Sequence, residues 1–506
     1  MIRTRSLLAL SLGLVLAAPV MLMARSTAIG LPDAPTADQS TTARMVYGLL
    51  SDSRYAYRPR ALDDALSREI LDGYLEALDP SKLFLTAQDV AGLQKHATRM
   101  DDAIKGGELR PAWEIFALYR QRAEARIAYA RNLLKGDFDF TAPDRYAYDR
   151  EDAPWAEAAT LDGLWKQSVK NDWLRLKLAG KPADEIRRTL DKRYANQLAG
   201  LQELKGDEVF QSFLNAYAGS IDPHTSYLTP RSAENFNVSM SNSLEGIGAV
   251  LFKQDDVIVI REVVPGGPAM RSGQLKSGDR IVGVGQGGSG EVKDVVGWRT
   301  DDAVQLIRGA ANSKVRLDIV PAEAPLDSKP VRVLLTRAKV RLEDARAKAE
   351  TIVLPAAGDQ PQRRIGVVKL PGFYQDFEAR RRNDSDYASA TRDVTRMLAQ
   401  FRAQKVDGVV LDLRNNGGGS LNEAVELTGL FIDQGPVVQV RESGGRVSVQ
   451  HDRDRGVAWD GPLAVLVNRA SASASEIVAG AIQDYGRGLV IGETTFGKGT
   501  VQNLVD

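Results

Sequence analysis

Cysteine is absent from the 506-residue sequence, and histidine is scarce. The lack of cysteine excludes a thiol nucleophile, a thiolate zinc site, a disulfide-stabilised scaffold and a lipid-modified cysteine anchor. Only His96, His224 and His451 are present, so a histidine-rich metal site is not expected and a histidine base must be one of these three. Acidic and basic residues balance at 66 each, which gives no electrostatic reason to expect nucleic acid as a partner.

Long apolar runs are also lacking, with one exception near the N-terminus. Residues 7–23 are predominantly apolar, follow a basic start and precede the small residues Ser26 and Ala28. The run is shorter than the roughly 20 residues that a membrane span needs, and this order is that of a secretory signal peptide. We therefore predict a signal peptide over residues 1–28 and an exported protein, periplasmic if the source is a bacterium. Membrane association is expected only through an uncleaved signal segment.

The remaining sequence changes in character along its length and predicts a multidomain α+β protein. Apolar residues at helical spacing recur through residues 29–240 and predict a helical N-terminal domain, with His96 on a helix surface. Short β-rich runs between glycine-rich turns fill residues 244–322. Residues 323–345, which are rich in proline and alanine at their start, are predicted to be a linker. Strands alternate with helices over residues 346–506, which is typical of a βα-layered domain.

The same patterns predict individual elements. In the β-rich region we predict a helix at 300–308 and strands at 246–252, 257–264, 280–284 and 315–320. In the βα-layered region we predict strands at 365–370, 408–413, 463–467 and 488–491, and helices at 386–404, 421–432 and 474–485. In a layered domain of this kind, reactive groups collect at the carboxyl ends of strands and at helix N-termini.

Two glycine-rich segments are similar to phosphate-binding loops, but neither meets the full pattern. Residues 492–498 match most of a Walker A loop, yet Gly499 stands where a serine or threonine should bind the metal ion, and an extended segment follows in place of a helix. Residues 283–288 satisfy G-x-G-x-x-G, but no helix opens from the last glycine and a hairpin loop fits better. Nucleotide binding is therefore the weakest of the alternatives.

Two other segments carry groups that acyl-transfer chemistry requires. Residues 411–419 end a predicted strand with consecutive glycines, whose N–H groups can converge on an oxyanion, although a flexible turn would give the same pattern. Ser473 lies between a predicted strand and a predicted helix, where free N–H groups and the helix dipole favour a developing negative charge. Ser473 and Glu476 also form the S-x-x-E pattern of a capping box, so this segment alone is more often a cap than a nucleophile.

A serine nucleophile needs a base, and Lys498 is the candidate. His451 lies in a polar run typical of a solvated turn, whereas Lys498 stands between two glycines in an uncharged stretch, where burial would lower the lysine pKa from about 10.4. A surface lysine is the alternative. Gln502 is placed to orient the Lys498 amine if the glycines bend the chain. Asp484 lies roughly 16 Å along the predicted helix from Ser473, too far for a triad, and is predicted to be a structural acid that holds a neighbouring loop.

Taken together, these segments resemble those of the tail-specific proteases, also called carboxyl-terminal processing proteases. The resemblance is carried by residues 221–230, 243–251, 297–302, 411–419, 471–485 and 497–502. It covers most of the chain after the signal segment and is greatest with the periplasmic branch that has a long helical N-terminal domain. The family implies a PDZ domain at 244–322 and a serine protease core of the crotonase- or Clp-like type at 346–506.

The resemblance also implies roles for individual residues. The peptidase site would consist of the nucleophile Ser473, the general base Lys498, the residue Gln502 that positions it, and an oxyanion hole formed by Gly418 or Gly419 with the N–H of Ala474. The PDZ domain would hold a substrate carboxylate in the loop formed by Gly246, Ile247, Gly248 and Ala249, beside which the tail adds as a strand. His224 matches a motif at a domain junction and is expected to be structural.

We therefore expect a periplasmic serine endopeptidase that binds apolar C-terminal tails and degrades or processes envelope proteins. The resemblance implies that tail binding activates the protease, that a lipoprotein adaptor delivers some substrates, and that the site uses no cofactor or metal. Members of this branch continue beyond the segment that matches residues 497–502, so the protease core is expected to be C-terminally incomplete. The alternative is a non-catalytic protein that binds tails.

Overall fold

The structure of the chain, a computed structural model, describes residues 34–384 and 386–505. The predicted signal peptide, residues 1–28, lies outside the described residues. Within the described ranges, no helix combines the length and apolar character that crossing a membrane requires. A helical region, a β-rich region and a layered region of strands and helices follow one another along the chain, so the expected multidomain α+β architecture is confirmed.

The N-terminal region is built from helices that pack their apolar faces into two cores. The helices are α1 (Ala37–Ser51), α2 (Asp64–Leu78), α3 (Ala87–Leu93), α4 (Met100–Gly106), α5 (Arg110–Leu133), α6 (Ala158–Leu178), α7 (Ala183–Gln202), α8 (Gly206–Ile221) and α9 (Pro230–Ser241). One core lies between α2 and α8, where Tyr74 packs edge-on against Phe213. The other lies among α5, α6 and α7.

His96 corrects one expectation for this region, because it is buried and does not lie on a helix surface. The chain leaves α3 through a short 3₁₀ turn that directs His96 inward, and only 2% of its surface is exposed. Its Nε2 lies 3.4 Å from Glu114 Oε2. Burial lowers the pKa of His96, so the neutral ring is favoured in the folded protein.

The β-rich region forms a six-stranded sheet with two short helices. Its elements are β1 (Ser243–Gly246), β2 (Ala249–Gln254), β3 (Val257–Val263), α10 (Pro268–Ser272), β4 (Arg280–Gln286), β5 (Val292–Asp294), α11 (Thr300–Ile307), β6 (Lys314–Val320), β7 (Val331–Thr336) and β8 (Ala338–Arg341). The sheet has the order β2-β3-β4-β6-β7, with β5 paired to β4, whereas β1 and β8 form a separate antiparallel pair.

Two boundaries in this region differ from the sequence prediction. The predicted strand 246–252 is broken at residues 247 and 248, because β1 and β2 belong to different sheets and Gly248 turns the chain with a φ of 73°. The predicted linker 323–345 contains β7, which pairs with β6 along its length, and also β8. The alternate residues Val333 and Leu335 of β7 are buried in the core of the sheet, so the β-rich domain extends beyond residue 322.

The layered region is built around a five-stranded sheet. Its elements are β9 (Lys348–Leu354), β10 (Arg363–Lys369), α12 (Phe377–Arg381), α13 (Ala390–Gln404), β11 (Gly408–Asp412), α14 (Leu421–Gly429), β12 (Gly435–Arg441), β13 (Val447–Asp452), β14 (Leu463–Val467), α15 (Ala474–Asp484) and β15 (Leu489–Gly492). The sheet has the order β15-β14-β11-β10-β9, in which β9 is antiparallel and the other strands are parallel. Strands β12 and β13 form a separate ribbon.

Every strand and helix predicted for the layered region is present, with shifts at the ends. The predicted strand 463–467 coincides with β14. The helix predicted from residue 386 begins instead at Ala390, because the Ser389 hydroxyl caps it by accepting the N–H of Arg392. The edge strand β9 and the ribbon of β12 and β13 were not predicted, since their outward residues are polar or exposed and give no buried stripe.

Candidate active site

The candidate site lies at the edge of the layered domain where β10, β11 and β14 end. These strands run parallel, so their carboxyl ends meet at one edge and the segments that follow them come together. The segment after β11 contains glycines 417–419, the segment after β14 enters α15 through Ser473, and the segment after β15 carries Lys498. The fold therefore places the three predicted segments side by side.

Ser473 occupies a strained turn between β14 and α15. Its φ of 56° and ψ of −113° lie in a region that residues other than glycine rarely adopt. Its N–H donates to Glu476 Oε2 at 2.7 Å, which is the glutamate half of the predicted capping box, whereas the Glu476 N–H donates to the Ser473 carbonyl at 2.8 Å. A strained strand-to-helix turn of this kind presents the nucleophile in α/β-hydrolases.

The glycine loop packs directly against Ser473. A Cβ atom on Gly418 would lie 2.8 Å from Ser473 Cβ and 3.1 Å from the Ala474 nitrogen. The φ of Gly418 is 105°, a conformation that side-chain-bearing residues rarely adopt. Both the available space and the backbone conformation therefore require glycine at this position.

Hydrogen bonding distinguishes among the N–H groups of the loop. The Gly418 N–H donates to Asn416 Oδ1 at 2.9 Å and is therefore already bound to a protein acceptor. Within the described part of the chain, the N–H groups of Gly419 and Ala474 donate to no protein acceptor. Of the two glycines predicted for an oxyanion hole, Gly419 therefore fits that role together with Ala474, whereas Gly418 allows the loop to approach the serine.

Lys498 lies on a segment that passes the serine turn, but its amine faces Gln502. Nζ donates to Gln502 Oε1 at 2.7 Å, and Gln502 Nε2 donates to Thr500 Oγ1 at 3.1 Å. Gly497, with a φ of 90°, bends the chain as the predicted contact requires. Among residues 386–505, no hydrogen bond joins the Lys498 amine, whose contact with Gln502 is exposed, to the Ser473 hydroxyl. Serine and lysine are not engaged with each other in this conformation.

Glu476, predicted only as part of a cap, ties the serine turn to the lysine segment. Its Oε2 accepts the N–H groups of Ser473 at 2.7 Å and Lys498 at 3.0 Å. Its Oε1 accepts the Gly497 N–H at 2.6 Å and the Thr495 hydroxyl at 2.8 Å. Burial favours a higher pKa for Glu476, but these hydrogen bonds outweigh burial and hold the pKa below its ordinary value. The carboxylate is therefore ionised at neutral pH and fixes both segments.

Asn416 is a site residue that the sequence patterns did not single out. Its side chain is fully buried, and Nδ2 donates to the carbonyl of Leu370 at the end of β10, at 2.9 Å. Its own carbonyl accepts the Ala472 N–H at 3.0 Å and the Ser475 hydroxyl at 2.8 Å. No local sequence pattern predicts that Asn416 connects these segments. In sequence it is an ordinary turn residue, and its contacts form only when the fold brings the three segments together.

The expectation that Asp484 holds a neighbouring loop is not met in the structure. Asp484 is exposed at the end of α15, and within the described residues it makes no hydrogen bond or ion pair through its carboxylate. Arg487 anchors this corner instead, by donating to the carbonyls of Phe431, Trp459 and Gly461. Asp484 is the last residue of α15 and lies on its exposed side, whereas Arg487, in the turn that follows, reaches back to these carbonyls.

The predicted carboxylate-binding loop joins β1 to β2. The carbonyls of Ile247 and Gly248 accept the N–H groups of Ala269 and Val264 at 2.8 and 2.9 Å. Within the described residues, the N–H groups of Ile247 and Gly248 themselves donate to no protein acceptor. Adjacent free N–H groups at a turn with positive φ form a site that suits an anion such as a terminal carboxylate.

The edge of β2 next to this loop is open to strand addition, because among the residues that the structure describes β2 pairs only with β3. An extended peptide whose carboxylate lies on the loop would continue along this edge. The arrangement is therefore suited to a free C-terminal tail.

Family models match three consecutive parts of the chain. Residues 49–231 match the tail specific protease N-terminal domain, residues 233–320 match the PDZ domain, and residues 364–506 match peptidase family S41. The three matched regions correspond in order to the helical, β-rich and layered regions of the structure.

Individual relatives share the same arrangement over long segments. The chain is 44% identical over 449 residues to the tail-specific protease of Haemophilus influenzae, an alignment that covers 88% of this chain and 61% of that protein. It is 30% identical over 305 residues to the carboxy-terminal processing protease CtpA of Bacillus subtilis, covering 60% of this chain and 57% of the relative. The chain thus spans less than two thirds of the length of these relatives.

Among solved structures, the chain is 56% identical to the PDZ domain of a carboxy-terminal protease from Vibrio cholerae in complex with peptide. That match covers 20% of this chain and 99% of the solved chain, with a TM-score of 0.19. It is 28% identical to a photosystem II D1 C-terminal processing protease, over 62% of this chain and 78% of that one, with a TM-score of 0.30.

Proposed function

We propose that this chain, which belongs to the tail-specific protease family, is a serine endopeptidase that binds the apolar C-terminal tails of its protein substrates. One observation carries the proposal. The carboxylate of Glu476 binds the N–H groups of Ser473 and Lys498 on the same oxygen, at 2.7 and 3.0 Å. The strained serine and the lysine segment are therefore fixed next to each other, as a serine–lysine site requires.

The proposed reaction is acyl transfer through Ser473. Lys498, in its neutral form, removes the proton from Ser473 Oγ as the oxygen attacks the scissile carbonyl carbon. The electron pair of the C=O bond moves to the carbonyl oxygen, where the N–H groups of Gly419 and Ala474 stabilise the negative charge. The C–N bond then breaks and the Lys498 ammonium protonates the leaving amine. Water hydrolyses the acyl-enzyme ester with Lys498 again acting as the base.

Because the Lys498 amine is not hydrogen-bonded to Ser473 in the structure, the proposed mechanism includes a conformational step. In the structure its amine donates to Gln502 Oε1 and must rotate toward Ser473 before reaction. We propose that occupation of the PDZ domain by a tail shifts the population toward the engaged conformation, in which Gln502 still orients the amine. The loop of Gly246, Ile247, Gly248 and Ala249 binds the tail carboxylate, and β2 pairs with the tail.

The proposal includes a location and substrates. The N-terminal sequence favours export to the periplasm, where unfolded or tagged envelope proteins with apolar C-termini and cell-wall hydrolases are the proposed substrates. A lipoprotein adaptor is the proposed partner for delivery of some of them. The proposed catalytic steps use side chains and backbone N–H groups of this chain, together with the water that hydrolyses the acyl-enzyme.

A second candidate function is tail binding without cleavage. It is favoured by the absence, among residues 386–505, of a hydrogen bond between the Lys498 amine and the Ser473 hydroxyl. The two functions share the PDZ domain and differ only in the fate of the bound substrate.

Cleavage of an unfolded protein with an apolar free C-terminus distinguishes these functions. The assay compares the free tail with an amidated tail, and the unchanged chain with Ser473→Ala and Lys498→Ala variants. The endopeptidase proposal predicts cleavage that requires the free tail and both side chains. Tail binding without any cleavage supports the second function, whereas cleavage that survives Ser473→Ala excludes Ser473 as the nucleophile.

A further inference from the structure

The glycine loop needs a restraint that glycine itself cannot supply. Gly418 and Gly419 have φ values of 105° and 143°, and without Cβ atoms their peptide groups can rotate at little steric cost. Rotation of the peptide between them by half a turn would replace the Gly419 N–H by the Gly418 carbonyl oxygen. That oxygen would repel an oxyanion, so the orientation of this peptide determines whether the hole exists.

Two hydrogen bonds fix the peptide groups on either side of Gly418. The Gly418 N–H donates to Asn416 Oδ1 at 2.9 Å, and the Gly418 carbonyl accepts the Phe373 N–H at 2.9 Å. A trans peptide directs its N–H opposite to its carbonyl. The Gly419 N–H therefore points away from Phe373, on a loop whose other neighbour is the turn of Ser473.

Asn416 also connects the loop to the serine turn. Its carbonyl accepts the N–H of Ala472, just before Ser473, and the hydroxyl of Ser475, just after it, at 3.0 and 2.8 Å. Its side-chain Nδ2 is held by the Leu370 carbonyl at 2.9 Å. The amide orientation is unambiguous, because a reversed amide would face a carbonyl with its oxygen and an N–H with its nitrogen. One buried residue therefore binds the end of β10, the glycine loop and both sides of the nucleophile.

We propose that Asn416 is a positioning residue for the peptidase reaction. It fixes the peptide before Gly418, the Phe373 N–H fixes the peptide after it, and the two together keep the Gly419 N–H in place for the oxyanion and at a fixed separation from Ser473. The inference rests on the proposed function and goes beyond it, since Asn416 itself does not touch the reacting atoms. Its effect is exerted in the transition state, because the N–H that it positions binds the charge that develops there.

Three variants separate positioning from stability. Asn416→Leu retains a similar size and loses both hydrogen bonds of the side chain. Asn416→Asp can replace the amide when protonated, by donating to the Leu370 carbonyl and accepting the Gly418 N–H, but the ionised form cannot donate. Thr428→Val is the matched control, because Thr428 is also fully buried and loses one hydrogen bond, from Oγ1 to the Ala424 carbonyl at 2.8 Å.

The kinetic test uses the full chain at a temperature where circular dichroism shows each variant to be folded. We expect Asn416→Leu to lower kcat for a free-tail substrate by about 10²-fold, the lower end of the loss caused by removal of one oxyanion donor, with KM little changed. We expect Asn416→Asp to approach the unchanged chain at low pH and to lose relative kcat as pH rises. Affinity for a peptide boronic acid, which forms a tetrahedral adduct with Ser473, should fall in parallel with kcat, while tail affinity stays constant.

A measurement on the unchanged chain covers the case in which Asn416 variants do not fold. In protein labelled with ¹⁵N-glycine, the boronic acid should protect the Gly419 N–H from exchange and leave the Gly418 N–H, already bonded to Asn416, as protected as before. New protection at Gly418 without protection at Gly419 overturns the inference. So does a kcat of Asn416→Leu that equals that of Thr428→Val. If the unchanged chain neither cleaves nor reacts with a serine-directed fluorophosphonate, the proposed function itself fails.

Discussion

Replacement of Glu476 by glutamine tests how the two halves of the site are held together. The carboxylate presents each oxygen to two donors: Ser473 and Lys498 on Oε2, and Gly497 and Thr495 on Oε1. Glutamine must direct its NH₂ group at one of these pairs. On the Oε1 side the Thr495 hydroxyl can turn and accept from it, so only the Gly497 N–H is opposed and at least one hydrogen bond is lost. The chain around Glu476→Gln is expected to open on one side.

The magnitude follows from the one bond that is necessarily lost. A hydrogen bond to a charged group contributes about 1.5–3 kcal/mol, and the lower value applies here because Glu476 is only half-buried. One such bond corresponds to about 1.5 kcal/mol of local stability, or roughly a tenfold increase in the open population of the lysine segment. The global unfolding free energy should change far less, because residues 493–502 lie outside the hydrophobic core of the layered domain.

Hydrogen exchange measured by mass spectrometry provides the assay. We expect faster exchange over residues 494–502 in Glu476→Gln, together with a loss of kcat, while peptides from β11 and β14 exchange as before. Glu493→Gln is the matched control, since it makes the same chemical change in an exposed residue of the same segment. Unchanged exchange and unchanged kcat in Glu476→Gln would refute the role assigned to this carboxylate.

The pH dependence of the same segment has a defined sign. The pKa of Glu476 in the folded chain lies below its ordinary value of about 4.3, so its contribution is present above that pH. The contribution is lost as the pH falls through the lower, folded-state pKa. Protection of residues 494–502 should therefore be constant at neutral pH and decrease only under distinctly acidic conditions.

Two further substitutions are expected to act through packing and burial. Gly418→Ala should abolish most cleavage and lower the free energy of unfolding by about 1–3 kcal/mol, because its Cβ would meet Ser473 Cβ at 2.8 Å in a left-handed conformation. The control is Gly417→Ala, whose Cβ meets nothing within 4 Å and which should lower the melting temperature much less. Burial lowers the pKa of His96 in the folded chain, so the unfolded state binds a proton first and the folded state loses stability as the pH falls below about 6.5. His96→Gln should remove this loss. The melting temperature of the unchanged chain should therefore fall more between pH 7.5 and 5.5 than that of His96→Gln, and an equal fall would contradict this role of His96. The control is His224→Gln, which changes an exposed histidine.

Elements governed by local patterns were predicted well from the sequence. Buried strands such as β14 form continuous apolar runs in the sequence. The start of α15 is indicated by the S-x-x-E pattern of Ser473 and Glu476, which precedes an apolar stripe at helical spacing. Elements that depend on tertiary pairing were not visible. The exposed edge strand β9 carries no buried stripe, and the division of residues 246–252 between two sheets is set by pairing with β8 and β3.

The candidate site shows the same division between local and tertiary information. The residue types and spacing of Ser473, Lys498 and Gln502 indicated a nucleophile, a base and a residue that orients the base. These roles stay predictions until they are tested. The choice between Gly418 and Gly419 depended on which N–H Asn416 binds, a contact within a turn that no composition rule predicts. The inward turn of His96 and the outward position of Asp484 likewise follow from packing and not from helical spacing.

The most direct test is to react the full chain with a fluorophosphonate probe and identify the modified residue by mass spectrometry, with and without a free apolar tail peptide. We predict a single modification at Ser473 that is faster with the free tail than with its amidated form and is lost in Lys498→Ala. Modification of another serine, or a rate at Ser473 that is independent of both the tail and Lys498, would contradict a tail-activated serine–lysine site.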